Sequence, residues 1–398
     1  MSRLALSIAP TDTPHVGVLR TCALHLWAFV LPLINAGFLL TGPHTWWSAL
    51  LWTVPIWVLV LVDNGAPPDR RQPPESLPSW PFDLQLYVLV ALQVANHVLL
   101  GVMASKLHMS SLAAVGTMLA NLAAVIVLSG TTAGYSGIVV AHELVHRRSR
   151  VEHFLGRLLL MLVCYEHFAT EHVRGHHPRV GTPEDPATAR FGESLRDFVR
   201  RTIPAQWKSA WRLESVRLGD AHMRWTDRRM IHHRVLQGVL AEITIALGYL
   251  LALGPIALVF FAVQARAAIA LLETVNYIEH WGLTRKSRTV TPFDSWDTDN
   301  GFTLRTLIGL SRHADHHAQA SRQYQRLRSF DESPKMPLGY YGTILLALVR
   351  NDRYQELARA ELRRRGLGPY SEGAGPPSVA PVSLASAELS SAPMHQAT

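Results

Sequence analysis

Apolar runs long enough to cross a bilayer recur along the chain, separated by short breaks rich in glycine and proline. Residues 22–40 (CALHLWAFVLPLINAGFLL) and 44–62 (HTWWSALLWTVPIWVLVLV) flank the breaker Thr41-Gly42-Pro43. As helices rising 1.5 Å per residue, each matches a hydrocarbon core of about 30 Å. A Pro-rich loop over 63–81 leads to a third span near 82–104, and a fourth begins near Ser110. Residues 236–253 and 255–275 read as a helical hairpin turning at Gly254-Pro255. The pattern predicts an all-α polytopic membrane protein with six transmembrane helices. Its fourth span is too long: no charge or histidine occurs from Met109 to Ala141, which as one helix reaches about 50 Å. Either it protrudes from the bilayer or it breaks near Gly130, Gly134 and Gly137.

Charge orients these spans. Arg147, Arg148 and Arg150 follow the fourth, and Arg285, Lys286 and Arg288 follow the sixth, whereas the alternate loops hold only Lys106. Cytoplasmic loops carry the basic excess, so a bacterial-type inner (plasma) membrane protein is expected, with both termini and the active site cytoplasmic. Residues 142–235, a basic cap, carry seventeen Lys and Arg against eleven Asp and Glu. The expected organisation is an N-terminal cytoplasmic segment over 1–21, a membrane domain over 22–366 and a disordered tail over 367–398, which is rich in Pro, Ser, Ala and Gly. The first twenty residues lack the pattern of a cleavable signal. The formal charge of +8 comes without an aromatic-basic binding motif, so no nucleic-acid partner is expected. The two cysteines, Cys22 and Cys164, cannot build a four-cysteine zinc or iron–sulfur site, so any electron-transfer cluster belongs to another protein.

Four stretches concentrate histidine: HELVHRR at 142–148, EHVRGHH at 171–177, NYIEHWGL at 276–283 and SRHADHH at 311–317. They supply His142, His146, His172, His176, His177, His280, His313, His316 and His317. Helical spacings of three and four put His142 with His146, His172 with His176, and His313 with His316 and His317 on shared faces. Nine imidazoles aimed at one place exceed the needs of a single metal, so two metal ions are implied. Imidazole suits iron, copper, zinc and nickel; two histidine-rich sites beside a membrane suit redox-active iron. HELVH also fits a zinc-protease motif with Glu143 as general base, a reading that leaves the other seven histidines idle. A bis-histidine haem protein would need paired histidines within the spans, where His25 and His97 are scattered.

These stretches resemble those of the integral-membrane alkane monooxygenase family, within the membrane fatty acid desaturase/hydroxylase superfamily. That family shows His-Glu-Leu-x-His-Lys, Glu-His-x-x-Gly-His-His, Asn-Tyr-x-Glu-His-Tyr-Gly-Leu and Gln-Arg-His-x-Asp-His-His-Ala. GTPEDPATARFGES at 181–194 and YQRLRSFDESPKMPLGYYG at 324–342 are similar to further segments of it. Here Arg147, Trp281 and Ser311 replace the lysine, tyrosine and glutamine, Pro178 follows the paired histidines, and Gly181 replaces an alanine; none removes a ligand. The resemblance implies a non-haem di-iron centre (two iron ions) and hydroxylation of the terminal methyl of an apolar, alkane-like substrate with dioxygen. It also implies two electrons from a rubredoxin or ferredoxin with its reductase as the expected source. Fatty acyl or alkyl-aromatic hydroxylation or desaturation is the alternative within the superfamily.

Metal-bound imidazoles are commonly oriented by carboxylates. Glu143, Glu171, Glu279 and Asp315 are the candidates, with Glu279 also a candidate direct ligand. Arg174 and Arg312 are candidates to fix these acids, although a surface role suits Arg174 better. His167, off the face of His172, reads as structural.

Overall fold

The computed structural model describes residues 17–74 and 77–371. Residues 1–16 of the expected N-terminal segment and 372–398 of the expected tail lie outside the described residues. Among the described residues the chain is all-helical, with two isolated backbone bridges and no sheet. Six helices are long and apolar enough to cross a membrane: α1 (Val18–Thr41), α2 (Trp46–Gly65), α3 (Trp80–Ser105), α4 (Leu112–Val145), α7 (Arg234–Leu253) and α8 (Pro255–His280). The first starts ahead of residue 22, inside the segment expected to precede the membrane domain. Between α4 and α7 lie α5 (Arg150–Met161) and α6 (Leu195–Arg217). Beyond α8 come α9 (His313–Ala318), α10 (Tyr340–Val349) and α11 (Asn351–Arg365).

The long fourth span runs through without breaking. Its 34 residues reach about 51 Å, so its last turns extend beyond a hydrocarbon core of about 30 Å. It absorbs two wide, π-type turns at Val125–Ser129 and Ala133–Ile138. Its glycines serve packing: a Cβ on Gly130 would collide with Ala267 of α8. Small residues at such a crossing let two backbones approach closely, which is how helices pack where no water drives them together. That approach places the ends of α4 and α8, which carry His142 and His280, at one end of the bundle.

Local signals set the cap. Ser149 and Ser194 accept from the backbone amides of Glu152 and Asp197, at 3.5 and 3.2 Å, where α5 and α6 begin. Pro255 starts α8 after Gly254, whose φ of 91° needs a residue without a side chain. α6 packs against α8 and against the turn Phe168–Glu171. α10, apolar but too short to span, packs against α2 and α8. α11 ends at Gly366 in the left-handed region. Past Gly366, Leu367 packs on the core, and Tyr370 meets the Phe191 ring edge-on at 5.9 Å.

Candidate metal centre

All nine histidines of the four stretches converge, and they divide into groups that helical spacing does not foretell. Ring nitrogens of His142, His146, His172, His177 and His316 all lie within 4.8 Å of one another. A second set joins His176, His280 and His317, and a third joins His280 and His313 with Glu279. The expected pair His172 and His176 is split. The chain makes a wide turn at His172–His176, and a turn with more residues brings positions five apart together. His172 Nε2 therefore faces His177 Nε2 at 3.0 Å, while His176 Nε2 faces His317 Nε2 at 3.3 Å. In α9, His316 turns to the first group, its Nε2 3.2 Å from that of His177, and His313 turns to His280 at 3.4 Å.

The donor set fits metal ions. A single proton between two imidazoles satisfies one pair of nitrogens, but five nitrogens in one small volume cannot all be paired that way. The Nε2 atoms of His142 and His146 are buried without a hydrogen-bond partner. Burial first, and neighbouring imidazoles second, hold His172, His177, His313, His316 and His317 well below their ordinary range. Neutral rings with free lone pairs are what a cation binds.

The acids behave differently from one another. Glu279 is buried, accepts from the Tyr340 hydroxyl at 2.7 Å and has its other oxygen 3.1 Å from His313 Nε2. Glu143 instead accepts from Arg147 at 2.9 Å, and Arg147 also reaches Asp83 at 3.1 Å. This bridge ties α4 to α3 and engages the residue that a protease would need as a free base. Glu171 pairs with Arg179 at 2.7 Å, and burial pushes its carboxyl up to about 7. Asp315 pairs with Arg322 and accepts from the Arg328 amide at 2.7 Å. Glu143, Glu171 and Asp315 thus brace arginines rather than orient imidazoles. Arg174 is half-exposed and pairs with Glu214 at 2.9 Å. Arg312 is buried and donates to the carbonyls of Arg71 and Leu327, so it fixes loops rather than acids. His167 is buried against the Tyr165 ring, outside the three groups. His25 is bonded to the carbonyl of Thr21, and His97 to those of Gln93 and Leu162, so neither of these two histidines pairs with another.

Sequence reasoning missed Asp185. Its Oδ2 lies 2.9 Å from His176 Nδ1 and accepts from Thr188 Oγ1 at 2.6 Å, and its Oδ1 accepts from the Ala187 amide at 3.1 Å. Burial works against its charge, but His176 and Thr188 outweigh that and hold the carboxyl below its usual range. The signal was present in GTPEDPATARFGES, where an acid beside two prolines and a threonine marks a constrained loop.

Below the imidazoles a mostly apolar cleft runs between α4 and α8. Tyr135, Ile138, Leu272 and Val275 line its length, and His142, His172, His313 and Glu279 close its end.

The profile described as Fatty acid desaturase matches residues 117–343. Alkane 1-monooxygenase 1 of Pseudomonas aeruginosa is 43% identical over 55% of this chain and 58% of its own length. Alkane 1-monooxygenase 2 of Alcanivorax borkumensis is 31% identical over 82% of this chain and 86% of its own. The xylene/toluene monooxygenase hydroxylase component XylM of Pseudomonas putida is 25% identical over 84% and 88%. The matches thus span less than two thirds of the Pseudomonas aeruginosa relative and most of the other two.

Proposed function

The chain belongs to the alkane 1-monooxygenase family of the fatty acid desaturase superfamily, and from that premise we propose that it is a membrane non-haem di-iron monooxygenase hydroxylating the terminal methyl of an alkane-like substrate. The balanced reaction takes dioxygen, two electrons and two protons, and yields the alcohol and water. The observation that carries this reading is the apolar cleft that ends on His142, His172, His313 and Glu279. A chain lying in that cleft has one end among the imidazoles and meets mostly apolar walls along its length.

The residues divide the work. His142, His146, His172, His177 and His316 would hold one iron; His176, His280, His313 and His317, with Glu279, would hold the other. Bound there, the irons supply the activation of dioxygen, chemistry that no side chain performs. Tyr340 donates to Glu279 Oε1 and keeps the other oxygen directed at His313. Asp185 keeps His176 Nδ1 protonated, so that Nε2 is the free donor. Ile138, Leu272 and Val275 exclude water from the reacting methyl and select an apolar chain by burying it.

Two further parts follow from charge and composition. The basic loops after α4 and α8 favour a cytoplasmic position for the histidines and for both termini, in a bacterial inner membrane. With two cysteines in the chain, the electrons must arrive from a separate iron–sulfur or rubredoxin-type donor. The test is product analysis: membranes holding the protein are given a mixture of alkanes, fatty acids and alkylbenzenes with donor and reductase. Terminal alcohols from the alkanes are expected. Benzylic alcohols alone would move the assignment towards the chemistry that XylM is named for, and unsaturated products would move it to desaturation.

A further inference from the structure

Two cavities that share no lining residue with the cleft meet on the side of the bundle where α1 begins and α2 ends. One carries charged and amide side chains, Arg71, Arg305 and Arg312 with Asp69, Gln72 and Gln325. The other is an open apolar groove between α1 and the end of α2, walled by Leu24, Trp27, Val62 and Phe302. Leu24 and Arg305 line both, so the two adjoin.

The groove faces what surrounds the bundle. Trp27 is 50% exposed and Val62 45%, both on helices long enough to cross a membrane, so hydrocarbon is its natural filling. The polar cavity holds three guanidiniums against one carboxylate. Arg71 forks onto Asp69 at 2.8 and 2.7 Å, and Arg305 pairs with the same acid. Arg312 is committed to backbone carbonyls and has Asp299, Asp315 and Asp297 near it as well, so the excess is the one positive charge left where Arg71 and Arg305 share Asp69. Arg20, exposed on the first turn of α1, is near enough to Arg305 to add to that field. Two buried acceptors, Gln72 Oε1 and Gln325 Oε1, have no partner.

The required ligand has an apolar chain, a fixed negative charge beside it and hydrogen-bond donors beyond the charge. We infer that the paired cavities form a site for one anionic phospholipid. Its acyl chain lies along Leu24, Trp27 and Val62, its phosphodiester lies among Arg305, Arg71 and Arg20, and its headgroup hydroxyls donate to Gln72 and Gln325. Basic pockets between membrane helices recognise lipid headgroups by this combination of charge and depth. A phosphodiester bridging Arg20 on α1 to Arg71 after α2 and Arg305 beyond α8 would brace three chain segments at one point, where Asp69 joins only the last two.

The test uses the full-length, metal-loaded protein, freed of lipid in detergent. Phosphatidylglycerol, phosphatidylcholine of the same chains, inorganic phosphate or dodecane is added, and native mass spectrometry and thermal unfolding are read together. One phosphatidylglycerol per chain is expected, with a raised unfolding temperature. Arg20→Gln should weaken its retention about fivefold, since a basic residue near an anionic surface is worth about 1 kcal/mol. Arg305→Gln should weaken it further, and iron content reports whether each variant is folded. Equal retention of phosphatidylcholine, or unchanged retention in both folded variants, would overturn the assignment. So would protection by inorganic phosphate alone, which makes the cavity a plain anion site, or displacement of the lipid by dodecane, which makes the groove a substrate harbour.

Discussion

His176 Nδ1 and Asp185 Oδ2 lie 2.9 Å apart, both buried, across nine positions of chain. The contact fixes which nitrogen of His176 points at His280 and His317. Carboxylates that orient metal-bound imidazoles typically change metal affinity or activity by about 10–100-fold when removed. Asp185→Asn should therefore lower iron retention against a chelator by about that factor. Glu171→Gln is the contrast: its partner is Arg179, so iron retention should stay within about threefold of the parent on the same scale. Equal losses in the two variants would refute the distinction between them.

Iron content separates the two groups of histidines. The purified protein should hold two irons per chain, measured by elemental analysis. His316→Ala removes a donor from the first group and His176→Ala one from the second, so each variant should retain about one iron. Both should lose hydroxylation, because a missing ligand leaves a vacancy that packing does not refill. Active protein with one zinc and no iron would sink the di-iron assignment.

The cleft makes a separate prediction about chain length. Val275 is 7% exposed and lines it, and Phe in its place adds volume without touching a histidine. In a cleft closed at one end by the histidines the longest substrates lose room first. Each methylene in such a pocket carries about 1–3 kcal/mol of discrimination. Val275→Phe should cut kcat/KM for the longest accepted chain by tenfold or more, spare shorter chains and leave iron unchanged. A uniform loss across chain lengths would place Val275 outside the substrate path.

How far the sequence reaches is clear from these residues. The six spans were legible because apolar runs of bilayer length have few other uses in a single chain. The nine histidines were legible because imidazole is rare at such density. Their division was not: the wide turn at His172–His176 overrides the rule of spacings three and four and sends neighbours to different groups. Asp185 escaped notice because a contact made by a loop has no fixed spacing from its partner. The arginine partners of Glu143 and Asp315 were hidden for a related reason. Arg147 and Arg322 compete for them, and a guanidinium fork is a stronger partner for a carboxylate than a neutral imidazole. The helical reach of α4 was open in the sequence because glycines serve equally for breaking and for close packing.

Topology tests whether the clusters share one aqueous side. Reporter fusions after Arg148 and Arg288 should both report cytoplasm, and fusions near Gly42 and Gly254 the opposite face. Arg148 ends the stretch that carries His142 and His146, and Arg288 follows the one that carries His280. A periplasmic signal at Arg148 would reverse the orientation, because the imidazoles themselves are held together by the fold.

The last prediction concerns the electron donor. Residues 142–235 carry seventeen basic against eleven acidic side chains, a net +6 with histidine neutral. Much of that charge is internal: Arg201 holds Glu193 and the carbonyls of Pro186 and Thr188, so it clamps the loop that carries Asp185. What faces solvent is a row on α6, where Arg196, Arg200, Lys208 and Arg212 are exposed at spacings of four and eight. Helical spacing puts such residues on one face, and a basic row attracts an acidic partner before contact. Screening length falls from about 10 Å at 0.1 M salt to about 3 Å at 1 M. Donor-dependent turnover at subsaturating donor should therefore drop as salt rises, through slower association, while iron content holds. Arg200→Glu with Lys208→Glu should reproduce the high-salt behaviour at low salt and flatten the remaining salt dependence. Arg201→Glu should instead lower iron retention, because it releases the Asp185 loop. Salt-independent kinetics at subsaturating donor would remove α6 as the docking face and leave the hydroxylase assignment untouched.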